Sequence, residues 1–168
     1  MSDKFSGIME SVGSIFRSGD YLPWTDSDII ANCEREAAGQ WAEVTKDSDK
    51  KESIMRLSWA LVHSRQAADV QRGIAMLEVA LNNGGGPLQR KEILYLLAVG
   101  HFRAGDYTRS RRYIEQALQI APDFRQALTL KKSIEDKITK DGVIGIGIAA
   151  TAVGLVAGSL AAALARKK

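Results

Sequence analysis

The chain has 168 residues, with 23 basic and 20 acidic side chains and a formal net charge of +3. Residues 166–168 carry three of the basic charges, so the rest of the chain is neutral, and no basic face for nucleic acid is indicated. The single cysteine, Cys33, excludes an internal disulfide and fits a reducing compartment. An uncharged run, residues 142–165, precedes these three basic residues, and the roughly 140 residues before the run are enough for one compact domain.

The first 24 residues form an N-terminal arm in this interpretation. Glycines and polar residues interrupt its apolar stretch, so it does not read as a secretory signal. Residues 19–23 contain Gly, Asp and Pro and predict a turn or linker. Thr25, with Asp28 three residues later, then predicts the N-cap of a helix that continues to about Gln40. The polar stretch 45–51 predicts a solvated connection.

Helical periodicity strengthens from Ser53 onwards. Apolar residues recur at helical spacing in 55–62 and 74–81, and the Asn- and Gly-rich stretch 82–87 stops the pattern. Two further helices are predicted at 93–104 and 107–120, joined by a Gly105-Asp106 turn, and another at 123–140. No stretch alternates long enough to indicate a sheet. The fold class predicted for residues 25–141 is therefore all-α.

Residues 93–123 resemble a tetratricopeptide repeat, and a second copy lies 37 residues earlier. Packing positions of the later copy and their counterparts in the earlier one are Leu94 and Leu57, Leu97 and Ala60, Ala98 and Leu61, Ile114 and Leu77, and Ala117 and Ala80. Gly73 and Ser110 depart from the pattern, because alanine is usual there. The sequence thus predicts a tetratricopeptide-like helical bundle of two helix-turn-helix repeats with flanking helices.

The first helix of each such pair lines a concave side, which predicts a protein-binding groove. The positions expected to be exposed there are Met55, Ser58, Val62, Arg65, Glu92, Tyr95, Val99, Phe102 and Arg103. Tyr95, Val99 and Phe102 form an apolar stripe typical of a site for an amphipathic helix or an extended segment. The alternative is that a flanking helix or the arm covers the stripe as ordinary core. Both hold if residues 1–24 are a displaceable cover.

The run 142–165 carries no charge and predicts a C-terminal transmembrane helix. Its length as a helix is about 36 Å, enough to cross a hydrocarbon core of about 30 Å. A buried core helix is the alternative interpretation. We expect a tail anchor with residues 25–141 in the cytosol, and a targeting role for Arg166, Lys167 and Lys168. Gly147, Gly154 and Gly158 have a spacing that permits helix packing in the membrane, and so a homo-oligomer.

Catalysis finds no support in the residue pattern. His63 and His101 have no carboxylate or cysteine partner at metal-ligand spacing, and Cys33 lies in an acidic helix start that would not activate a thiolate. Gly142, Gly145 and Gly147 lack the strand and the lysine of a phosphate loop. We expect neither a metal nor a cofactor, and no enzyme.

Four stretches resemble the mitochondrial fission 1 protein family, and its plant branch most closely: residues 55–65, 69–78, 95–100 and 140–145. The resemblance spans roughly residues 25–168. It implies an adaptor of the outer mitochondrial membrane and of peroxisomes, with plastids as a further location for plant-like members. Such adaptors promote division by recruiting a dynamin-related GTPase, directly or through other adaptors. The competing interpretation is a tail-anchored co-chaperone or import receptor that uses the same groove.

Overall fold

A computed structural model describes residues 22–42 and 46–142 of the chain. It contains α1 (Ser27–Ala42), α2 (Asp47–Val62), α3 (Ala67–Asn82), α4 (Pro87–Arg103) and α5 (Tyr107–Ile120), and a further helix, α6, over residues 125–142. These residues include no β-strand, which confirms the all-α prediction. Within the same two ranges, none of the helices is long and apolar enough to cross a bilayer. The predicted span lies outside them, apart from Gly142.

Local chemistry explains the connections between the helices. Gly84 and Gly105 have φ values of 76° and 79°, a left-handed backbone that glycine adopts without a steric penalty. Pro87 follows the first of these turns and opens α4, where its missing N–H costs nothing. Asp106 follows the second, and its carboxylate accepts a hydrogen bond of 3.0 Å from the Arg109 N–H. The predicted Gly105-Asp106 turn is confirmed.

Three predicted helix starts were wrong, and one of them is that of α4, which begins at Pro87 and not at Ile93. Residues 47–51 are the first turns of α2 rather than a connection, because Asp47 and Asp49 stabilise the positive end of the helix dipole. The helix α1 begins at Ser27, and its first backbone bonds go to the Asp26 carbonyl. Thr25 is therefore not the N-cap, and it pairs with Ser64 in an isolated parallel bridge.

The helices pack as α2 with α3 and α4 with α5, as the repeat pattern predicts. Helix α4 is the centre of the bundle, because every residue from Ile93 to His101 is buried. The main apolar cluster joins α4 to residues of α2, α3, α5 and α6. Of the ten predicted packing positions, nine are buried and Ala80 is half-buried.

Helix α1 is attached more lightly than the others. Ile30, Cys33 and Ala37 form a small separate cluster with Leu57, Ala60 and Leu61 of α2. Two ion pairs add to it, Arg56 with Glu36 and Arg72 with Glu34, the second at 2.7 Å. All four of these charged side chains are partly exposed, so each pair contributes at most about 1 kcal/mol.

Candidate protein-binding face and its strap

The predicted groove residues lie on α2 and α4 as expected, but most of them are not exposed. Ser58, Val62 and Val99 have no accessible surface, and Met55 and Tyr95 are each 7% exposed. The prediction of exposure was wrong for these five. Glu92, Phe102 and Arg103 are half-buried, and Arg65 is exposed. No observation here tests whether these residues bind a partner, so that role stays a prediction.

Aromatic packing from later helices explains part of the burial. The Tyr95 ring lies 5.1 Å from the Phe124 ring, just before α6, and Lys91 lies over the same Phe124 ring at 4.7 Å. The Phe102 ring lies 5.5 Å from the Tyr107 ring of α5. Burial raises the pKa of the Tyr95 phenol to about 12, so its hydroxyl stays protonated. The covered part of the stripe is thus core, as the alternative interpretation held.

A short extended segment, residues 22–26, crosses the last residues of α2 and α4, and we call it the strap. The Thr25 N–H donates a hydrogen bond of 2.9 Å to the His63 carbonyl. Arg103 Nη2 donates to the carbonyls of Leu22, at 2.9 Å, and of Pro23, at 3.1 Å. Leu22 is 7% exposed and joins the main apolar cluster. The strap is therefore held by backbone groups at several points and by one apolar side chain.

Trp24 is the part of the strap that meets two cations. The guanidinium carbon of Arg103 lies 3.4 Å from the centroid of the indole, and that of Arg65 lies 4.8 Å from it. Both distances are within the range of cation–π attraction. The indole is still 40% exposed, so it is reachable from solvent.

His63 anchors the other side of the strap and is itself buried. Its Nδ1 lies 2.7 Å from the Trp59 carbonyl, which can only accept, so Nδ1 carries the proton and donates. Burial lowers the pKa of His63 to about 4; the bond to Trp59 opposes this shift, and the nearby charge of Arg103 adds to it. The ring is neutral at physiological pH, and the strap rests on an uncharged residue.

The other end of the α4 stripe is open. Leu88 lies four residues before Glu92 on the same face and is 60% exposed. Desolvation raises the pKa of the Glu92 carboxyl, and the nearby charge of Lys91 opposes the rise. Leu88, Glu92, Tyr95, Val99 and Phe102 follow steps of four and three, so the stripe runs from an exposed end to the strap.

The remaining sequence predictions concern residues that the structure does not describe. Residues 1–21 of the arm, the span after Gly142, the packing glycines at 147, 154 and 158, and the basic residues 166–168 lie outside the described ranges. Those predictions stay predictions.

Sequence reasoning missed the most specific feature of the site, which is the pairing of Trp24 with two arginines. Arg65 and Arg103 were predicted groove residues, but Trp24 was assigned to the arm. A tryptophan directly after the proline of the predicted linker was the available signal. In residues 22–42 and 46–142, His, Cys, Asp and Glu side chains form no group of three that could hold a metal.

Comparisons with known proteins agree with this architecture. Models of the Fis1 N-terminal and C-terminal tetratricopeptide repeats match residues 52–84 and 91–143. Mitochondrial fission 1 protein A of Arabidopsis thaliana is 57% identical over the full length of both chains. Mitochondrial fission 1 protein B of the same plant is 53% identical, covering 98% of this chain and 92% of its own.

Two solved structures share the fold. Fis1 of Saccharomyces cerevisiae superposes with a TM-score of 0.62 at 22% identity, covering 74% of this chain and 91% of its own. Yeast Fis1 in complex with an Mdv1 fragment gives a TM-score of 0.62 at 20% identity, covering 74% and 99%. Full-length identity to the plant proteins and both repeat matches lead to one conclusion: the chain belongs to the mitochondrial fission 1 protein family, whose members are helical-repeat proteins and not enzymes.

Proposed function

We propose that this protein is a membrane-anchored adaptor that promotes division of mitochondria and peroxisomes by recruiting a dynamin-related GTPase, directly or through other adaptors. The observation that carries the proposal is the α4 stripe, which begins exposed at Leu88 and ends next to Arg103, the residue of α4 that binds the strap. Moving the strap would lengthen this surface and would take only one side chain of the strap, Leu22, out of the main cluster. The yeast relative crystallised with an Mdv1 fragment is consistent with a partner-binding role.

The anchor supplies the rest of the mechanism in this proposal. Residues 142–165 hold the helical domain on the cytosolic side of the outer mitochondrial membrane, and Arg166, Lys167 and Lys168 direct it there. Confinement to a surface raises the effective concentration of neighbouring adaptors, so a weak groove can still gather an oligomerising GTPase by avidity. Plastids are a further proposed location.

Residues 1–24 act as a displaceable cover in the same proposal. Removing them uncovers the strap end of the stripe, so partner affinity is expected to rise. Affinity that stays the same or falls would show that the arm is part of the binding surface or of the core.

Two exposed apolar residues provide a matched test of the groove. Leu88 on α4 and Val79 on α3 are both 60% exposed, so glutamate at either position leaves the core intact. Leu88→Glu is expected to reduce GTPase recruitment to mitochondria severalfold, because Leu88 continues the stripe, whereas Val79→Glu retains recruitment. Equal effects of the two variants would remove α4 from the binding surface.

Organelle shape separates an adaptor for division from a co-chaperone or import receptor. Loss of the protein is expected to elongate mitochondria and peroxisomes, and the full chain restores their shape. Import defects in organelles of normal shape would support the receptor instead.

A chain in which residues 166–168 are neutral is expected to reach a different membrane, which imaging would show.

A further inference from the structure

The residues just after α2 and the last residue of α4 form a site that binds an extended chain with an aromatic side chain. Its members are His63, Ser64, Arg65 and Arg103, and we call it the arginine cleft. One backbone N–H of the strap binds the His63 carbonyl, two strap carbonyls accept from Arg103, and the indole lies under both guanidinium groups. These contacts recognise backbone groups and an aromatic ring rather than any particular longer sequence.

The strap leaves part of its own bonding capacity unused. The Thr25 hydroxyl is buried without a hydrogen-bond partner among the described residues, and such a group costs free energy. The Trp24 ring, which brings the two cations together, keeps 40% of its surface in solvent. A competing segment without a buried, unpaired hydroxyl at the position of Thr25 would avoid that cost.

We propose that the arginine cleft is a recognition site for an extended segment of a partner protein that presents an aromatic side chain after two residues whose carbonyls accept from Arg103. This inference rests on the adaptor function proposed above and names the chemistry of the partner. We name an aromatic ring rather than a carboxylate as the ligand because both guanidinium groups lie over the face of the Trp24 ring. Arg103 also donates to backbone carbonyls next to that ring. Residues 22–25 are the internal copy of that ligand.

The first experiment uses a peptide of residues 20–28 as the probe, with a twin in which alanine replaces the tryptophan. The full chain is held in lipid nanodiscs, and Trp24→Ala frees its cleft from the internal ring. The peptide is expected to bind this variant about tenfold more tightly than it binds the wild type. This factor corresponds to the free energy of one partly desolvated cation–π contact, which the wild-type Trp24 already makes. The twin is expected to bind at least about tenfold more weakly than the peptide.

Arginine variants decide whether the cleft itself is responsible. Adding Arg103→Ala to Trp24→Ala is expected to abolish peptide binding, whereas adding Arg112→Ala, at an exposed arginine of α5, leaves it unchanged. Thr25→Pro is a second way to loosen the strap, because it removes the N–H that binds His63, and it is expected to behave like Trp24→Ala. Peptide binding that ignores Arg103, or a twin that binds as well as the peptide, overturns the inference.

The second experiment asks whether partners use the same cleft. Membrane extracts are passed over the immobilised Trp24→Ala chain, and bound proteins are eluted with the peptide or its twin. The inference requires elution of a bound division protein by the peptide, no elution by the twin, and no retention by Trp24→Ala/Arg103→Ala. Retention that neither the peptide nor Arg103→Ala disturbs places the partner elsewhere, so the adaptor function stands and this inference falls. Retention of no division protein by the wild type or any variant contradicts both.

Discussion

The two helical repeats solve the same packing problem with residues of different size. Where α2 crosses α3, the large Leu61 faces Gly73, and a Cβ atom on that glycine would lie 2.9 Å from the Leu61 Cβ atom. At the positions 37 residues later, the small Ala98 faces Ser110, whose hydroxyl donates a buried hydrogen bond of 2.7 Å to the Ala98 carbonyl. In the first crossing the larger residue, Leu61, is on α2 and faces a glycine. In the second crossing both residues are small, and the larger of the two, Ser110, is on the second helix of the pair. Each crossing therefore contains at least one small residue, which lets its two helices approach closely.

A second pair of corresponding positions has diverged in purpose. His63, at the end of α2, holds the strap through its carbonyl. Its counterpart, Gly100 of α4, admits Ile74 of the first repeat so closely that a Cβ atom there would lie 2.7 Å from Ile74 Cγ1. In the first repeat, the residue after the first helix therefore binds the strap through a polar group. In the second repeat, the corresponding residue packs closely against a helix of the first repeat.

The largest loss of stability is expected when the Leu61 side chain is removed from the contact between α2 and α3. Leu61→Ala removes a side chain with no accessible surface, and Gly73 has no atoms with which to fill the space, so the loss is about 2–5 kcal/mol of unfolding free energy. Urea denaturation measures it. Adding Gly73→Ser is expected to lower the stability further, because Val62 Cγ1, Val62 N and the Cβ atom of residue 61, which crowd a side chain at position 73, all remain in Leu61→Ala. A double variant more stable than Leu61→Ala would show that the Leu61 side chain beyond Cβ, and not Val62, excludes a larger residue at position 73.

His63 gives the first repeat a pH dependence that Gly100 cannot give the second. Its pKa is about 4 in the fold against 6.5 for an ordinary histidine, so the unfolded chain binds more protons between these values. Stability that is complete above pH 6.5 is lost as the pH falls towards 4, by about 3 kcal/mol for this group. Thermal or urea unfolding across that window tests it against His63→Gln. His101, whose pKa burial also lowers, and the carboxyl groups titrate in both proteins, so an identical pH dependence would contradict the assignment to His63.

Adding a side chain at Gly73 is also expected to lower the free energy of unfolding, but by less than Leu61→Ala does. Gly73→Ala places a Cβ atom 2.8 Å from Val62 Cγ1 and 3.0 Å from the Val62 backbone nitrogen, which cannot move aside. We expect a loss of about 1–3 kcal/mol. The matched control is Gly39→Ala in α1, where no atom lies within 4 Å, and it is expected to gain about 0.5–1 kcal/mol. Calorimetry should give opposite signs, and equal signs would refute the close crossing.

The smallest effect belongs to the second crossing. Ser110→Ala removes one buried hydrogen bond but leaves the Ala98 carbonyl its partner within the helix, so the loss is about 1 kcal/mol. Circular dichroism during urea unfolding would measure it. A loss as large as that of Leu61→Ala would mean that the hydroxyl, and not the volume, sets the crossing.

Much of the fold was predictable because it follows from local pattern. The spacing of Leu94, Leu97 and Ala98 on α4 indicates a buried helix face, and the same spacing 37 residues earlier indicates a repeat. The start of α2 was missed because Asp47 and Asp49 look like solvated loop residues, although charges of that sign stabilise a helix start. The family was also recognisable from the sequence, through its long matching runs.

The sequence by itself determined the helices, their pairing into repeats and the family to which the chain belongs, because helical periodicity and glycine turns act over a few residues. Only the tertiary structure decided which groove residues are covered, since Tyr95 meets Phe124 and Arg103 meets Leu22 across 29 and 81 residues of chain. Residues so far apart leave no periodic mark in the sequence. Their contact is fixed by how the packed helices bring the strap and α6 against α4, and this also places Trp24 under its two arginines.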